Sequence, residues 1–270
     1  MSTVLFTYIL HLADNALILA QRNAEWTGHG PVLEQDIAIT NIALDLLGQA
    51  RNFYQQAAGL YNQFNAAEKS AVDFLIPKSW KTYNRQLHED DLAFLRESYQ
   101  YRNLLIVELP RGDWAQTVLR QFLCSAFQHP LYTQLQNSSH TQLAAIAEKS
   151  VKETTYHLRW SSEWVIRLGD GTAESNHRIK KALEELWPFT GEFFRPALYE
   201  QNETDTALNM DDLKSLWQQT VASIFSEATL QVPAQPGTQH GGKDGQHTEY
   251  LGVLLAEMQY LQRSYPNATW

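Results

Sequence analysis

Apolar residues recur every three or four positions in long blocks along this chain, and no segment alternates apolar with polar side chains over a strand's length. That spacing admits helices and excludes a sheet as the core. The blocks run over about 4–26, 33–61, 90–106, 114–136, 140–168, 176–195, 210–230 and 247–264. Helix-stopping residues separate them: "TGHGP" (27–31), "LPRGD" (109–113), "LGDGT" (168–172) and "PAQPG" (233–237). Pro130 and Pro188 fall inside otherwise helical runs and are expected to kink or interrupt them at the preceding residue. Residues 62–89 carry the least regular pattern and read as a surface excursion with a short helix. The expectation is an all-α bundle forming one domain over residues 1–270, four long helices with shorter ones toward the C-terminus.

At 270 residues and 44% hydrophobic content the chain can bury a substantial core. Its formal net charge is −9 and its one basic run is "HRIKK" (177–181), which argues against nucleic acid or an anionic membrane as the main partner. Cys124 is the single cysteine, so an intrachain disulfide and a cysteine-ligated cluster are excluded and a reducing cytoplasm is expected. The apolar "VLFTYILHLADNALILA" (4–20) is interrupted by His11, Asp14 and Asn15 and reads as a buried helix, not a signal or a membrane span.

Polar residues on the long helices are the clue to chemistry. The second block carries Asn41, Asp45, Gly48 and Asn52 on one line, the first carries His11, Asp14, Ile18, Gln21 and Glu25, and the block at 140–168 carries Glu153, Tyr156, His157 and Trp160. Three helices are thus expected to point acids into one interior, with Arg51 and Arg159 as counter-charges. A two-metal carboxylate bundle needs a Glu from each of two helices and a Glu-x-x-His from each of the other two. The residue three before a histidine is Glu only at Glu174–His177, at a helix entrance. In the core, Asp45 is followed by Gly48 and Glu153 by Tyr156, while 114–136 offers Gln121 or Ser125 where a carboxylate is required. Asp14, Asp45, Gly48, Ser125, Glu153 and Tyr156 therefore read as a degenerate metal site, with no catalytic residue and no metal on this chain. The alternative is a self-sufficient metal oxidase with Asp14, Asp45, Glu153 and His157 as atypical ligands.

"LADNALILAQRNAEWTGHGPVLEQDIAITNIALDLLGQARNF" (12–53), "KETTYHLRWSSEWVIRLGDGT" (152–172) and "GGKDGQHTEYLGVLLAEMQYLQR" (241–263) resemble the C subunits of bacterial phenylacetyl-CoA epoxidases, also called ring 1,2-phenylacetyl-CoA monooxygenases. The resemblance runs over most of the chain in motif order; the 62–89 connection and Pro130 depart from it. It implies a ferritin-like four-helix bundle that binds no cofactor and scaffolds a homologous catalytic A subunit. That subunit would hold the di-iron centre and epoxidise the ring with O₂. Electrons would come from NADPH through a reductase carrying FAD and a [2Fe-2S] cluster, and further small subunits would complete the complex. It also implies phenylacetyl-CoA at or near the subunit interface. By motif order, the segment before "NLLIVELP" supplies Gln100, Tyr101, Arg102 and Asn103 as candidate substrate contacts.

Two further features are weighed on their residues. "GTQHGGKD" (237–244) spaces Gly237, Gly242 and Lys243 like a phosphate loop, but Asp244 replaces the metal-binding hydroxyl and no strand precedes it, so its glycines are expected to let the loop lie on a partner. Eight tryptophans exceed the needs of one core, and some are expected to anchor a subunit interface.

Overall fold

The computed structural model describes residues 2–201, 208–266 and 268; among them are twelve α-helices and no strand. In chain order these are α1 (Ser2–Ala24), α2 (Leu33–Gln63), α3 (Ala66–Ala71), α4 (Glu89–Phe94), α5 (Leu105–Glu108), α6 (Trp114–Leu135), α7 (Thr141–Gly169), α8 (Ala173–Leu186), α9 (Leu198–Gln201), α10 (Met210–Glu227), α11 (Glu249–Met258) and α12 (Tyr260–Ser264). Local chemistry sets several starts: Asp113 accepts from the Gln116 amide at 3.0 Å, Thr172 from the Ser175 amide at 3.1 Å, and Asn209 from the Asp211 amide at 3.1 Å. Pro188 follows the end of α8, where the chain tightens into a 3₁₀ segment (Trp187–Phe194), as expected. Pro130 does not interrupt α6. Phe122, Phe127, Leu131 and Leu135 are buried on both sides of it, and that packing outweighs the roughly 3 kcal/mol a helix-interior proline costs.

The four long helices are α1, α2, α6 and α7. Phe6 packs against Tyr61, Asp14 meets Tyr54 and Thr27 meets Thr40, so α1 and α2 run antiparallel. Trp114 meets Trp160 and Trp164, so α6 and α7 do too. Asn23 to Gln121 makes α1 and α6 antiparallel, and Asp45 to His157 with Gln49 to Glu153 does the same for α2 and α7. The order is up, down, down, up. Two hairpins joined by one long crossover, residues 64–113, form the ferritin-like bundle. α8 and α10 pack on the α6–α7 side. α1 is long and apolar enough to cross a membrane, yet lies inside the bundle, as the buried-helix reading expects.

The crossover corrects the helix expected over 90–106. α4 ends at Phe94, and 95–104 is a 3₁₀ turn (Ser98–Gln100) and extended chain. Its backbone bonds go to side chains of α1: Asp14 accepts from the Arg102 amide at 2.7 Å and Asn15 from the Leu104 amide at 2.8 Å, while the Arg102 carbonyl accepts from His11 Nδ1 at 2.6 Å. A segment whose amides are satisfied this way has no need of a helix. Residues 62–89 form α3 and two 3₁₀ turns, but Val72, Leu75, Ile76 and Leu87 are buried, so the stretch is part of the core's cover.

Candidate functional site

Asp14 is the acid that α1 delivers to the interior, and its partner is Arg96, not Arg51 or Arg159. Both members of the pair are fully buried. Arg96 also donates from Nη1 to Asp14 at 3.1 Å and to the Gln100 carbonyl at 2.9 Å, and from Nε to the Leu92 carbonyl at 2.6 Å; it stands 4.2 Å over the Tyr101 ring. Tyr54 donates its hydroxyl to Asp14. Burial opposes the charge on Arg96, but the Asp14 carboxylate together with the Tyr54 and Tyr101 hydroxyls outweighs it and holds the guanidinium pKa above its ordinary value. Burial pushes the Tyr54 and Tyr101 hydroxyls up and His11 down, so His11 is a neutral imidazole. Its Nδ1 donates to the Arg102 carbonyl and its Nε2 accepts from Asn15 at 3.1 Å. Arg51 is exposed and pairs with Glu89 at 3.5 Å; Arg159 lies on α7, away from Asp14.

The six degenerate positions do not converge. Asp45 is half-buried and lies 3.1 Å from His157 Nε2. Glu153 accepts from Gln49 at 2.8 Å and Ser125 from Gln121 at 2.8 Å, and Gly48 is half-buried on α2. Tyr156 is exposed, which corrects the expected inward line on that helix: the buried line of α7 is Ser150, Thr154, His157 and Ser161. On α2, Asn41 is exposed and Asp45, Gly48 and Asn52 are half-buried, while the inward polar residue is Gln49. The expectation of three helices pointing acids into one interior is thus overturned; Asp14 alone does so among the acids named. Among the described residues, no three His, Cys, Asp or Glu side chains gather in a way that could hold a metal ion. With Asp14 neutralised by Arg96 and Asp45 bound to His157, this donor set does not fit a metal pair.

Gln100, Tyr101, Arg102 and Asn103 lie on the crossover and are all buried. Gln100 donates to the Phe74 and Ile76 carbonyls at 3.0 and 2.9 Å, Tyr101 to the Ala93 carbonyl at 2.6 Å, and Asn103 to Glu108 at 2.8 Å. Arg102 lines a surface cleft.

Charged residues that sequence reasoning missed hold the C-terminal part in place. Buried Glu108 takes the Thr248 amide at 2.6 Å and His247 Nδ1 at 2.7 Å, while His247 Nε2 lies 3.1 Å from the Tyr101 carbonyl. Both ring nitrogens thus face oxygen atoms of the chain. Buried Glu192 accepts from the Leu105 and Gly241 amides at 2.7 and 2.8 Å. Lys243 turns inward to Glu200 at 2.9 Å, so Gly241, Gly242 and Lys243 pack on their own chain, while 238–240 and Asp244 are exposed. A Cβ on Gly242 would lie 2.1 Å from the Asn103 carbonyl oxygen, which is why glycine stands there.

A family model described as "Phenylacetic acid catabolic protein" matches residues 1–270. The chain belongs to that family. It is 43% identical to the C subunit of the 1,2-phenylacetyl-CoA epoxidase of Escherichia coli (strain K12), over 98% of this chain and 99% of that protein. In this member of the phenylacetic acid catabolic proteins, the four long helices form the frame. Four tryptophans serve that frame. Trp114 packs edge-on to Trp26, Trp160 and Trp164, and the last two donate to Gln35 at 3.0 and 2.7 Å. The large apolar residues left exposed are instead Leu, Ile, Val, Phe and Tyr; Trp270 lies outside the described residues.

Proposed function

We propose that this chain is a structural member of a phenylacetyl-CoA epoxidase, a cytoplasmic C subunit that binds no metal and scaffolds a homologous di-iron A subunit. The A subunit would carry out the O₂-dependent epoxidation, with electrons delivered from NADPH by an FAD and [2Fe-2S] reductase. The CoA ester would pass at or near the interface, by a surface that Gln100, Tyr101 and Asn103 brace from inside.

The observation that carries this reading is one face of α2. Leu33, Ile37 and Leu44 are 73%, 52% and 59% exposed, and they share a face with Gly48 and Gly59. Nothing lies within 4 Å of a Cβ added to either glycine. A helix-interior glycine costs about 1 kcal/mol relative to alanine, and nothing inside this chain offsets that cost. A helix from a second bundle laid along the stripe would cover the leucines and use the space over the glycines. The Escherichia coli relative is named as one subunit of an epoxidase, which supports a multi-subunit setting.

Metal analysis of the purified chain, beside co-purification with the A subunit, tests the reading. Little iron and a stable pair are expected. About two irons per chain, or oxygenation by this chain alone, would overturn it. Asp45→Ala separates it from the self-sufficient oxidase: only the oxidase loses metal with that change.

A further inference from the structure

A cleft of about 380 Å³ opens beside the crossover, between the start of α1, the 71–74 turn and α9. Thr3, Val4, Phe74, Arg102, Leu198 and Tyr199 form most of its wall. Arg102 is 6% exposed and uses Nη1 on the Tyr99 and Tyr101 carbonyls at 2.9 and 2.6 Å. Its Nε and Nη2 donate to no group, and no carboxylate pairs with it, among the described residues. Burial lowers its pKa, as expected for a guanidinium that lacks a counter-ion. The Tyr199 hydroxyl is buried and has no partner. Burial pushes its pKa well up, so it stays a neutral donor. Phe74 and Leu198, 55% and 74% exposed, form an apolar lip, and the Arg102 guanidinium sits 5.5 Å from the Phe74 ring.

Arg102 and Tyr199 both line this apolar cleft with donor capacity left unused, which suits an acceptor pair on a hydrophobic body. The charges set its valence. Lys243, also on the wall, is neutralised by Glu200, and Asp244 stands exposed at the mouth. Arg102 is left as the one cation of the wall without a carboxylate, which suits a monoanion and disfavours the polyphosphate of coenzyme A.

We infer that this cleft binds a small apolar carboxylate, its oxygens on the Nε–Nη2 edge of Arg102 and the Tyr199 hydroxyl, its hydrocarbon or aryl body against Phe74 and Leu198. The family reading supplies only the probe, phenylacetate; the site stands on its own geometry.

Calorimetric titration of the full chain tests it. Phenylacetate is expected to bind saturably with Kd on the order of 0.1–10 mM, and neutral phenylacetamide, of the same shape, at least about tenfold more weakly. Arg102→Met is expected to abolish binding. Because that change also removes two backbone contacts, Tyr199→Phe and Phe74→Ala carry the test, each weakening binding roughly three- to tenfold, while Asp244→Asn tightens it about twofold. Equal binding of acid and amide, undiminished affinity in both Tyr199→Phe and Phe74→Ala, or coenzyme A outcompeting phenylacetate would overturn the assignment. Loss of A-subunit pairing with phenylacetate binding intact would sink the subunit reading and leave the cleft; the reverse result would sink only the cleft.

Discussion

The two sides of α2 are built on opposite principles. Toward α1 and the crossover, Tyr54 joins Asp14, Arg96 and Tyr101 in a dry network whose charges are paired. Away from that network, Leu33, Ile37 and Leu44 face outward beside glycines, and Asp45 and Gln49 reach across to His157 and Glu153 of α7. The first side locks a crossover that is not helical onto the bundle. The second is unfinished within this chain. The polar residues that suggest a metal centre in the sequence thus divide between a structural lock and the contacts of α2 with α7.

Breaking the lock should have the largest effect. Arg96→Met leaves Asp14 buried without its counter-charge and is expected to cost about 3–5 kcal/mol, read by denaturant unfolding. The double change Arg96→Met with Asp14→Leu should recover much of that loss, because no lone charge remains. If the single change costs under about 1 kcal/mol, the pair does not organise the crossover.

The open face should respond in the opposite way. Leu44→Asp is expected to alter the isolated chain's stability by no more than about 0.5 kcal/mol, while reducing capture of the A subunit by at least about tenfold. Gly48→Ala should stabilise the isolated chain by roughly 0.5–1 kcal/mol and weaken pairing. Equal capture by both variants and the parent would place the interface elsewhere.

The smallest effect is in pH. Burial lowers the His11 pKa in the folded chain, so the unfolded chain binds the extra proton first as pH falls. The stability His11 contributes is therefore complete above its unfolded value near 6.5 and declines as pH drops below it, by at most about 1.4 kcal/mol per pH unit. His11→Gln should flatten that slope in melts between about pH 5 and 7. A slope unchanged by the substitution would assign the dependence to another group.

Much of the frame is legible in the sequence because α1, α2, α6 and α7 carry a strong helical period, and Gln121 and Ser125 of α6 are buried where the ligand spacing puts them. Tyr156 is misplaced by the same pattern for a specific reason. α7 turns small polar residues, Thr154 and Ser161, into the core, so its buried face resembles a surface face in sequence; of the inward line drawn from the pattern His157 and Trp160 are buried, while Tyr156, about 100° round the helix from His157, is exposed. Arg96 escapes a sequence reading because its partner Asp14 lies 82 positions away and the segment around it has a helical period.

By itself, the sequence determined that the chain is helical, where its long helices lie, and that the residues at the would-be ligand positions are too few and too short to match a two-metal bundle. Those are local matters of period, side-chain type and spacing. Only the tertiary structure decided which carboxylates are buried, which arginine neutralises Asp14, that 95–104 is extended, and that α2 keeps an uncovered face. Each depends on contacts between residues far apart in the chain, where burial and charge pairing, not local preference, set the lowest free energy.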